Sequence, residues 1–384
     1  MVNPILSRLP TTIFDEMSGL ARQTGAINLG QGFPDSPGPL SVRQRAAEAV
    51  LSGNNQYPPM RGLPELRQAV AEHYRRRQGP DLDWANEVTV TSGATEALAC
   101  AFLSFVGPGD EVVLFQPLYD AYAPLVRLAG GVPRFVRLSP PDWSFDRAML
   151  EAAFSPRTRM VVVNNPINPA AHVLSSDELS LLAEFCVASN AIAVCDEVWE
   201  EVVFDGRVHQ PLIGLAGMRE RTIKIGSAGK IFGLTGWKVG WLCAAPELPA
   251  TLARAHQFLT FTTPPNLQAA VAFGLETAKD WFTEMPTTLA ASRDRLTAAL
   301  SAEGFAVLPS EGTYFLNVDL AASGVNLPDR EFCLKAVHEA GVAAIPVSAL
   351  YEEEPVTSIV RLCFAKADEV LDEGARRLAA ARSL

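Results

Sequence analysis

Lys230 and Lys238 lie in one short segment, IGSAGKIFGLTGWKVGW, which is rich in glycine and small residues. A lysine is usually exposed and solvated, but both of these lysines have small or apolar neighbours on either side. Such neighbours are unusual for an amine that is merely solvated. The segment is therefore a candidate site for chemistry by a lysine amine, as nucleophile or as base.

Two other strand ends carry groups that suit a flat, anionic ligand. In SGATEAL a predicted strand breaks at Gly93 and a helix begins, so the N–H groups of Ala94 and Thr95 would face an anion. An ordinary strand-to-helix turn has the same composition. In FQPLYDAY the ring of Tyr119 follows a strand end and could stack on an aromatic ligand, although core packing explains it equally well.

Polar side chains follow further apolar strands. Two Asn-Pro steps in NNPINP give a rigid backbone that presents the amide of Asn168. Asp196 ends the run AIAVCD, where it is either a helix N-cap or a carboxylate that keeps a heteroaromatic ring nitrogen protonated. Arg361 interrupts the apolar run SIVRLCF. Its stem could pack while its head reaches water, or its guanidinium could bind a substrate carboxylate.

Each group has a structural explanation when it is considered alone. Turns, caps and core packing do not explain why all of them occur in one order along an α/β chain. An anion-binding turn, a stacking ring, an asparagine, an aspartate and a lysine are together the groups that pyridoxal phosphate requires. We therefore predict a pyridoxal-phosphate enzyme in which Lys230 holds the cofactor as a Schiff base.

The elements that must position these groups alternate between strand and helix from about residue 63 to 196. Short β-branched runs are separated by amphipathic stretches, which favours a mostly parallel sheet covered by helices on both faces. Ligands of such sheets bind at the carboxyl ends of the strands. Beyond Pro264 the pattern predicts long helices near 267–278 and 287–303, then short strands and a closing helix after Asp368. This part is a smaller α+β domain.

Composition excludes several classes of function. The net charge of −11 gives no basic surface for nucleic acid or anionic lipid. The six cysteines include no CxxC pair, so we predict buried free thiols and no metal site. The N-terminus lacks a secretory signal, and no window reaches transmembrane length. We predict a cytoplasmic protein.

From about Phe14 to the C-terminus, the chain resembles the class I aminotransferases of the aspartate aminotransferase fold, which is fold type I of the pyridoxal-phosphate enzymes. It is most similar to the branch that contains the kynurenine, glutamine and methionine aminotransferases. The resemblance is carried by the motifs INLGQGFPD, NNQYPPMRGLPELR, SGATEAL, PGDEVVLFQPLYDAY, NPINP, DEVWE, GSAGKIFGLTGWKVGW, EGTYFL, VAAIPVS and VRLCFAK.

The resemblance implies a role for each residue of the predicted site. Lys230 forms the Schiff base and carries the α-proton, and Asp196 pairs with the ring nitrogen. Asn168 contacts the phenolic oxygen and the substrate carboxylate. The residues implied to bind the phosphate, stack on the ring or line the pocket are Ser227, Lys238, Ala94, Thr95, Tyr119, Trp199, Arg361, Gly32, Phe14 and Phe261. Tyr57 is implied to reach the phosphate of the neighbouring subunit, in a homodimer with shared active sites.

The chain departs from the family pattern at several positions. Trp199 stands where a tyrosine is usual, and an indole cannot supply a hydroxyl. Ala171 occupies a glycine position, which would cost about 1 kcal/mol if that turn needs a positive φ. Gln116 replaces a common acid and is given no functional meaning. Thr262 stands where the mammalian kynurenine enzymes carry histidine, so a preference for kynurenine is not expected.

We predict an aminotransferase that moves the amino group of a neutral or aromatic L-amino acid to a 2-oxo acid by ping-pong kinetics. Alternatives are a cysteine-S-conjugate β-lyase, or a different donor such as N-succinyl-diaminopimelate. The sensor domain of a transcription regulator would need a DNA-binding domain before residue 14, and a dehydrogenase would need GxGxxG. The predicted division is an N-terminal segment 1–40 that joins the small domain, a large cofactor domain 41–280 and a small domain 281–384.

Overall fold

The computed structural model describes residues 2–382. Within them the strands are β1 Ile27–Asn28, β2 Val88–Thr91, β3 Glu111–Gln116, β4 Val132–Arg137, β5 Thr158–Asn164, β6 Ile192–Asp196, β7 Thr222–Ser227, β8 Gly240–Ala244, β9 Ala306–Val307, β10 Phe315–Asp319, β11 Val342–Ala343, β12 Ile345–Pro346 and β13 Ile359–Cys363.

The α-helices are α1 Ile13–Thr24, α2 Leu40–Ser52, α3 Pro64–Arg77, α4 Trp84–Glu87, α5 Gly93–Phe105, α6 Tyr122–Leu128, α7 Arg147–Ala153, α8 Ser176–Ser189, α9 Ala228–Ile231, α10 Pro249–Leu259, α11 Pro265–Thr277, α12 Trp281–Ala302, α13 Asp329–Lys335 and α14 Asp368–Ala381. Single turns of 3-10 helix and one π-helical turn complete the elements, at Leu6–Arg8, Leu212–Gly214, Arg219–Arg221, Thr235–Trp237, Val347–Leu350 and Ala336–Ala340.

The largest sheet has seven strands in the order β2-β8-β7-β6-β5-β3-β4. Strand β8 is antiparallel to both of its neighbours, and the other pairs are parallel. Every residue of β2, β6, β7 and β8 is buried. Apolar residues therefore occupy both faces of these strands, as helices packed on both sides require. The predicted α/β fold with a mostly parallel sheet is confirmed.

Parallel pairing brings the predicted site residues to one edge of this sheet. Asn164 and Asp196 end β5 and β6 and are direct partners in the strand register. Strand β7 runs parallel to β6 and ends at Ser227. These carboxyl ends meet at the edge where open α/β sheets bind their ligands.

Strand β4 differs from the buried run that its sequence suggested. It closes one edge of the sheet and pairs only with β3. Val132, Arg134 and Arg137 are exposed, and Pro133 is partly exposed. The strand was predicted in the right place, but the expectation of an apolar run covered on both faces was wrong here, because an edge strand has a neighbour on one side only.

The C-terminal part contains a four-stranded antiparallel sheet, β12-β13-β10-β9; helix α12 packs on β9 and on α14. Strand β1 lies far from it in sequence but pairs in parallel with β11. We propose on this contact that the segment 1–40 belongs with the small domain. The division at residues 40 and 280 stays a prediction.

Helix α12 begins earlier than the sequence predicted. The sequence predicted a start near residue 287, directly after Pro286, and a proline inside a helix removes a backbone hydrogen bond. The helix instead begins at Trp281 and continues through Pro286. Phe282 and Met285 are buried, and the Trp281 indole N–H donates to the carbonyl of Ile231 at 2.7 Å. Packing of this first turn therefore outweighs the local cost of the proline.

A buried group of charges follows β6. The ammonium group of Lys224, on β7, hydrogen-bonds to the carboxylates of Glu197 and Glu200, and the His209 ring lies 3.3 Å from Glu197. Although burial would raise it, the Lys224 charge lowers the pKa of Glu197 to about 2. The acids and histidine are close enough to bind a metal, but the Lys224 ammonium already binds both carboxylates and offsets one of their two negative charges.

Two further sequence predictions concern cysteines and membrane helices. All six cysteines are buried and free, as predicted. In residues 2–382 we find no helix that is both long and apolar enough to span a bilayer.

Candidate active site

A cleft of about 710 Å³, which includes space open to solvent, lies at the carboxyl edge of the large sheet. Its walls come from the ends of β5, β6 and β7 and from the first turn of α5. Nine residues predicted from the sequence meet in this cleft: Ala94, Thr95, Tyr119, Asn168, Asp196, Trp199, Ser227, Lys230 and Lys238.

The start of α5 is the anion-binding part of the cleft. Gly93 has a φ of 75°, a left-handed conformation that glycine adopts without strain. A Cβ atom at Gly93 would lie 3.2 Å from Cε of Lys238, so the absence of a side chain lets Lys238 approach the turn. Ser227 lines the same space. A helix N-terminus, a hydroxyl and an ammonium group together suit a phosphate.

Asp196 ends β6 and is 5% exposed. Its Oδ2 accepts a hydrogen bond of 2.5 Å from the hydroxyl of Tyr122, whereas Oδ1 has no hydrogen-bond partner among residues 2–382. Burial raises the pKa of Asp196, and the Tyr122 bond and the Lys230 charge oppose this rise. The buried Oδ1 is therefore free to accept a bond from a ligand N–H, which fits the ring nitrogen of pyridoxal phosphate.

Lys230 lies in the short helix α9, across the cleft from α5. Burial lowers the pKa of its amine to about 8, although the Asp196 charge raises it. The Nζ atom donates a hydrogen bond of 3.3 Å to the Tyr314 hydroxyl and lies 4.6 Å from the Trp199 ring centroid. A substantial fraction of the amine is therefore neutral near pH 8 and able to act as a nucleophile or a base.

Arg361 is 1% exposed and is joined to the cleft through Asn168. Its guanidinium donates to the Asn168 side-chain oxygen and to the carbonyl of Gly30, both at 2.9 Å. The rings of Phe315 and Phe14 lie 3.9 Å and 5.0 Å from the guanidinium carbon. Burial lowers the pKa of Arg361 to about 10. Arg361 has no carboxylate hydrogen bond from residues 2–382, and such a buried cation favours an anionic ligand.

Gly32 adjoins Arg361, as the sequence predicted for a residue that lines the pocket. A Cβ atom at Gly32 would lie 2.9 Å from Cζ of Phe315 and 3.9 Å from a terminal nitrogen of Arg361. The small residue therefore keeps the space beside the guanidinium open.

Tyr57 and Phe261 lie together outside the cleft. Their rings meet edge to face with centroids 5.4 Å apart, and Tyr57 is 80% exposed. Neither residue lines the cleft of its own chain. Their predicted roles, in a neighbouring subunit and in the side-chain pocket, stay predictions.

The sequence matches the family described as aminotransferase class I and II over residues 24–378. It is 46% identical to a probable N-succinyldiaminopimelate aminotransferase of Mycobacterium tuberculosis, over 96% of this chain and 95% of that protein. It is 40% identical to a methionine aminotransferase of Escherichia coli, with 98% of both covered. It is 34% identical to human kynurenine–oxoglutarate transaminase 1, with 94% of both covered.

Solved structures agree with these matches. The M. tuberculosis N-succinyldiaminopimelate aminotransferase has a TM-score of 0.96 at 45% identity, covering 99% of this chain and all of that one. The E. coli methionine aminotransferase has a TM-score of 0.95 at 40% identity, with both chains fully covered. The chain belongs to the class I aminotransferases. The family, fold and enzyme class predicted from the motifs are confirmed, and the family depends on pyridoxal phosphate.

Two hydroxyl groups of the aminotransferase were not predicted from the sequence. Tyr122 in FQPLYDAY was given no functional role, but its hydroxyl bonds to Asp196. Tyr314 lies in the motif EGTYFL and was given no role, but its hydroxyl donates to the carbonyl of Gly32 at 2.6 Å and accepts from Lys230. A buried tyrosine hydroxyl needs a hydrogen-bond partner. This requirement was the signal in the sequence that could have indicated both bonds.

The departures from the family pattern have structural counterparts in the aminotransferase. Ala171 has a φ of 59°, so the turn does need the left-handed conformation that an alanine adopts at a cost. Trp199 is buried and packs edge to face on Tyr314, with centroids 4.3 Å apart. The Gln116 side chain accepts from the backbone N–H groups of Glu352 and Glu353 and so has a structural role.

The low pKa of Lys230 can be measured in the aminotransferase without bound ligand. Labelling of Lys230 by fluorodinitrobenzene should reach half of its maximal rate near pH 8, because burial favours the neutral amine. Asp196→Asn should move this midpoint to lower pH, because the carboxylate charge raises the pKa of the lysine. Peptide mass spectrometry locates the label, and exposed Lys279 is the internal control. A midpoint above pH of about 10 would contradict the assignment.

Proposed function

We propose that this aminotransferase binds pyridoxal phosphate in the cleft and transfers the amino group of a neutral or aromatic L-amino acid to a 2-oxo acid. The observation that carries the proposal is the buried Oδ1 of Asp196, which lacks a partner among the described residues while the same cleft holds Lys230. A buried acceptor without a donor is costly, and the cofactor ring nitrogen would remove that cost.

Different residues of the cleft would bind different parts of the cofactor. The turn at Ala94 and Thr95, with Ser227 and Lys238, would hold the phosphate. Tyr119 would stack on the ring and Asp196 would keep its nitrogen protonated. The residues present thus fit the cofactor, which, when bound, supplies a conjugated ring that withdraws electrons from the substrate α-carbon.

The groups proposed to bind the substrate are Arg361 and Asn168, which hydrogen-bond to each other. The guanidinium of Arg361, with the amide of Asn168, would bind the α-carboxylate and orient the amino acid. Nζ of Lys230 would then take the α-proton as a base and return it as an acid, because its pKa lies near working pH. Binding one substrate at a time in this cleft is consistent with ping-pong kinetics.

Lys230→Ala tests this chemistry. The variant should still bind pyridoxal phosphate without a covalent bond, because the phosphate groups remain, but its turnover should fall by more than about a hundredfold. Steady-state transamination and the absorbance of the cofactor are the measurements. Lys279→Ala, at an exposed lysine away from the cleft, is the control. Turnover in Lys230→Ala close to that of the wild type would exclude Lys230 as the catalytic amine.

We propose a homodimer with shared sites, supported by the exposed Tyr57 and Phe261 pair at a distance from its own cleft. Mixed dimers of Lys230→Ala and Tyr57→Phe subunits would carry both defects in one site and neither defect in the other. Mixing the two variants should therefore restore activity above that of either variant alone. An active monomer in sedimentation, or no gain on mixing, would contradict the shared site. A cytoplasmic location remains part of the proposal, supported by the six free thiols.

The amino donor should be neutral. Phe14 lies on the Arg361 side of the cleft, and Phe261 is proposed to complete the pocket. A side-chain carboxylate buried among these rings without a cation would cost several kcal/mol. The relatives give one neutral candidate and one acidic alternative, because a methionine enzyme and a probable N-succinyldiaminopimelate enzyme are both similar over nearly the whole chain.

A comparison of kcat/KM separates these donors. Methionine, glutamine, phenylalanine, kynurenine, aspartate and N-succinyl-diaminopimelate should be compared with one common 2-oxo acid. We expect methionine, glutamine or phenylalanine to exceed aspartate and kynurenine. The highest value with aspartate would show that the pocket is not neutral, and the highest value with the succinylated donor would favour the M. tuberculosis relative's activity. Pyruvate release from a cysteine S-conjugate would reveal the β-lyase alternative.

A further inference from the structure

A buried hydrogen-bond network lies directly behind the proposed phosphate-binding turn. Glu96 follows Thr95 in the first turn of α5 and is 7% exposed. One carboxylate oxygen accepts a bond from the backbone N–H of Ser92. The other accepts from the His256 ring at 2.6 Å and from the Thr260 hydroxyl at 2.7 Å. The network is outside the cleft and has no part in the proposed reaction.

The partners of His256 define its protonation state. Its Nδ1 faces the Glu96 carboxylate and its Nε2 lies 2.8 Å from the carbonyl oxygen of Met60. A carboxylate and a carbonyl only accept hydrogen bonds, so both ring nitrogens must donate, and this requires the cationic imidazolium. The bond to Glu96 raises the pKa of His256 against the effect of burial, which is consistent with that state. His256 is itself fully buried.

The same imidazolium joins three segments that the proposed function uses. Glu96 lies in the phosphate-binding turn, and Met60 lies in the segment NNQYPPM that begins just before Tyr57. Thr260 immediately precedes Phe261, whose ring contacts Tyr57. The His256 cation therefore bonds both to the phosphate-binding turn of its own site and to the segment proposed to reach the neighbouring site.

We propose that His256 is a positioning residue for phosphate binding, which rests on the proposed function of the cleft. Its positive charge neutralises Glu96, so that the carboxylate can bind the N–H of Ser92 without presenting an uncompensated charge to the phosphate. Like charges in a poorly hydrated environment repel strongly, and a carboxylate near the N-terminus of a helix also offsets part of the favourable helix dipole. The bond to Met60 fixes the Tyr57 segment relative to the same turn.

The charge argument predicts that a second substitution rescues the first. His256→Gln removes the cation and leaves Glu96 charged, and should weaken binding of inorganic phosphate by roughly tenfold. Glu96→Gln removes the charge that His256 compensates and should bind phosphate within about threefold of the wild type. The double variant Glu96→Gln/His256→Gln is neutral and should recover most of the affinity. A residue that only supports packing would instead give the weakest binding in the double variant.

The measurement is the dissociation constant of inorganic phosphate for the full-length protein freed of cofactor, by calorimetry, with pyridoxal phosphate as competitor. Pyridoxal, which lacks the phosphate, should bind to His256→Gln as it does to the wild type. His338→Gln, at an exposed histidine, is the matched control. If His256→Gln does not fold, the double variant alone decides. A phosphate affinity of the double variant equal to that of the wild type supports the proposal, and weak phosphate binding overturns it.

The outcomes separate this proposal from the proposed function. Phosphate binding to the wild type that pyridoxal phosphate does not displace would contradict the assignment of the cleft. Normal competition in the wild type, with unchanged phosphate affinity in His256→Gln, would overturn the role of His256 alone.

Discussion

The removal of charged groups from water is the constraint on which the active site depends. Asp196 and Arg361 are almost completely buried, and the charges of both act on the amine of Lys230. Burial shifts all three pKa values toward the neutral forms. A ligand group of opposite charge, or one that forms a hydrogen bond, would stabilise each of these buried groups. The empty cleft is therefore energetically unfavourable, and it favours ligands whose charges complement those of its side chains.

The sheet makes this arrangement possible because its rigid strands carry the charged groups to one edge. Asn164 donates to the backbone carbonyl of Asp196 at 2.8 Å and accepts from the N–H of Asn168 at 2.7 Å. One amide therefore holds the aspartate and the asparagine of the site in register. Behind the same strand end, the Lys224 ammonium forms ion pairs with both Glu197 and Glu200. The backbone around Asp196 is thus fixed from both sides, as its proposed role in the site would require.

The sequence was sufficient to locate those candidate site groups whose surroundings are formed by nearby residues of the chain. Lys230, Asp196 and the turn at Ala94 stand at strand ends that can be recognised from a few neighbours, and the strands were placed within a few residues. The Tyr122–Asp196 and Tyr314–Lys230 bonds were missed because each joins residues distant in sequence. The edge position of β4 and the start of α12 also depend on tertiary neighbours that a local pattern does not contain.

Strand β4 has a consequence for self-association. An edge strand exposes backbone donors and acceptors that another chain could pair with. Pro133 removes one donor, and the exposed side chains of Arg134 and Arg137 place positive charges along the same edge. If two copies approached edge to edge, these cations would repel each other, and the hydrogen-bond ladder between the two edge strands would be incomplete. This edge of the large sheet therefore resists pairing with the same edge of a second copy.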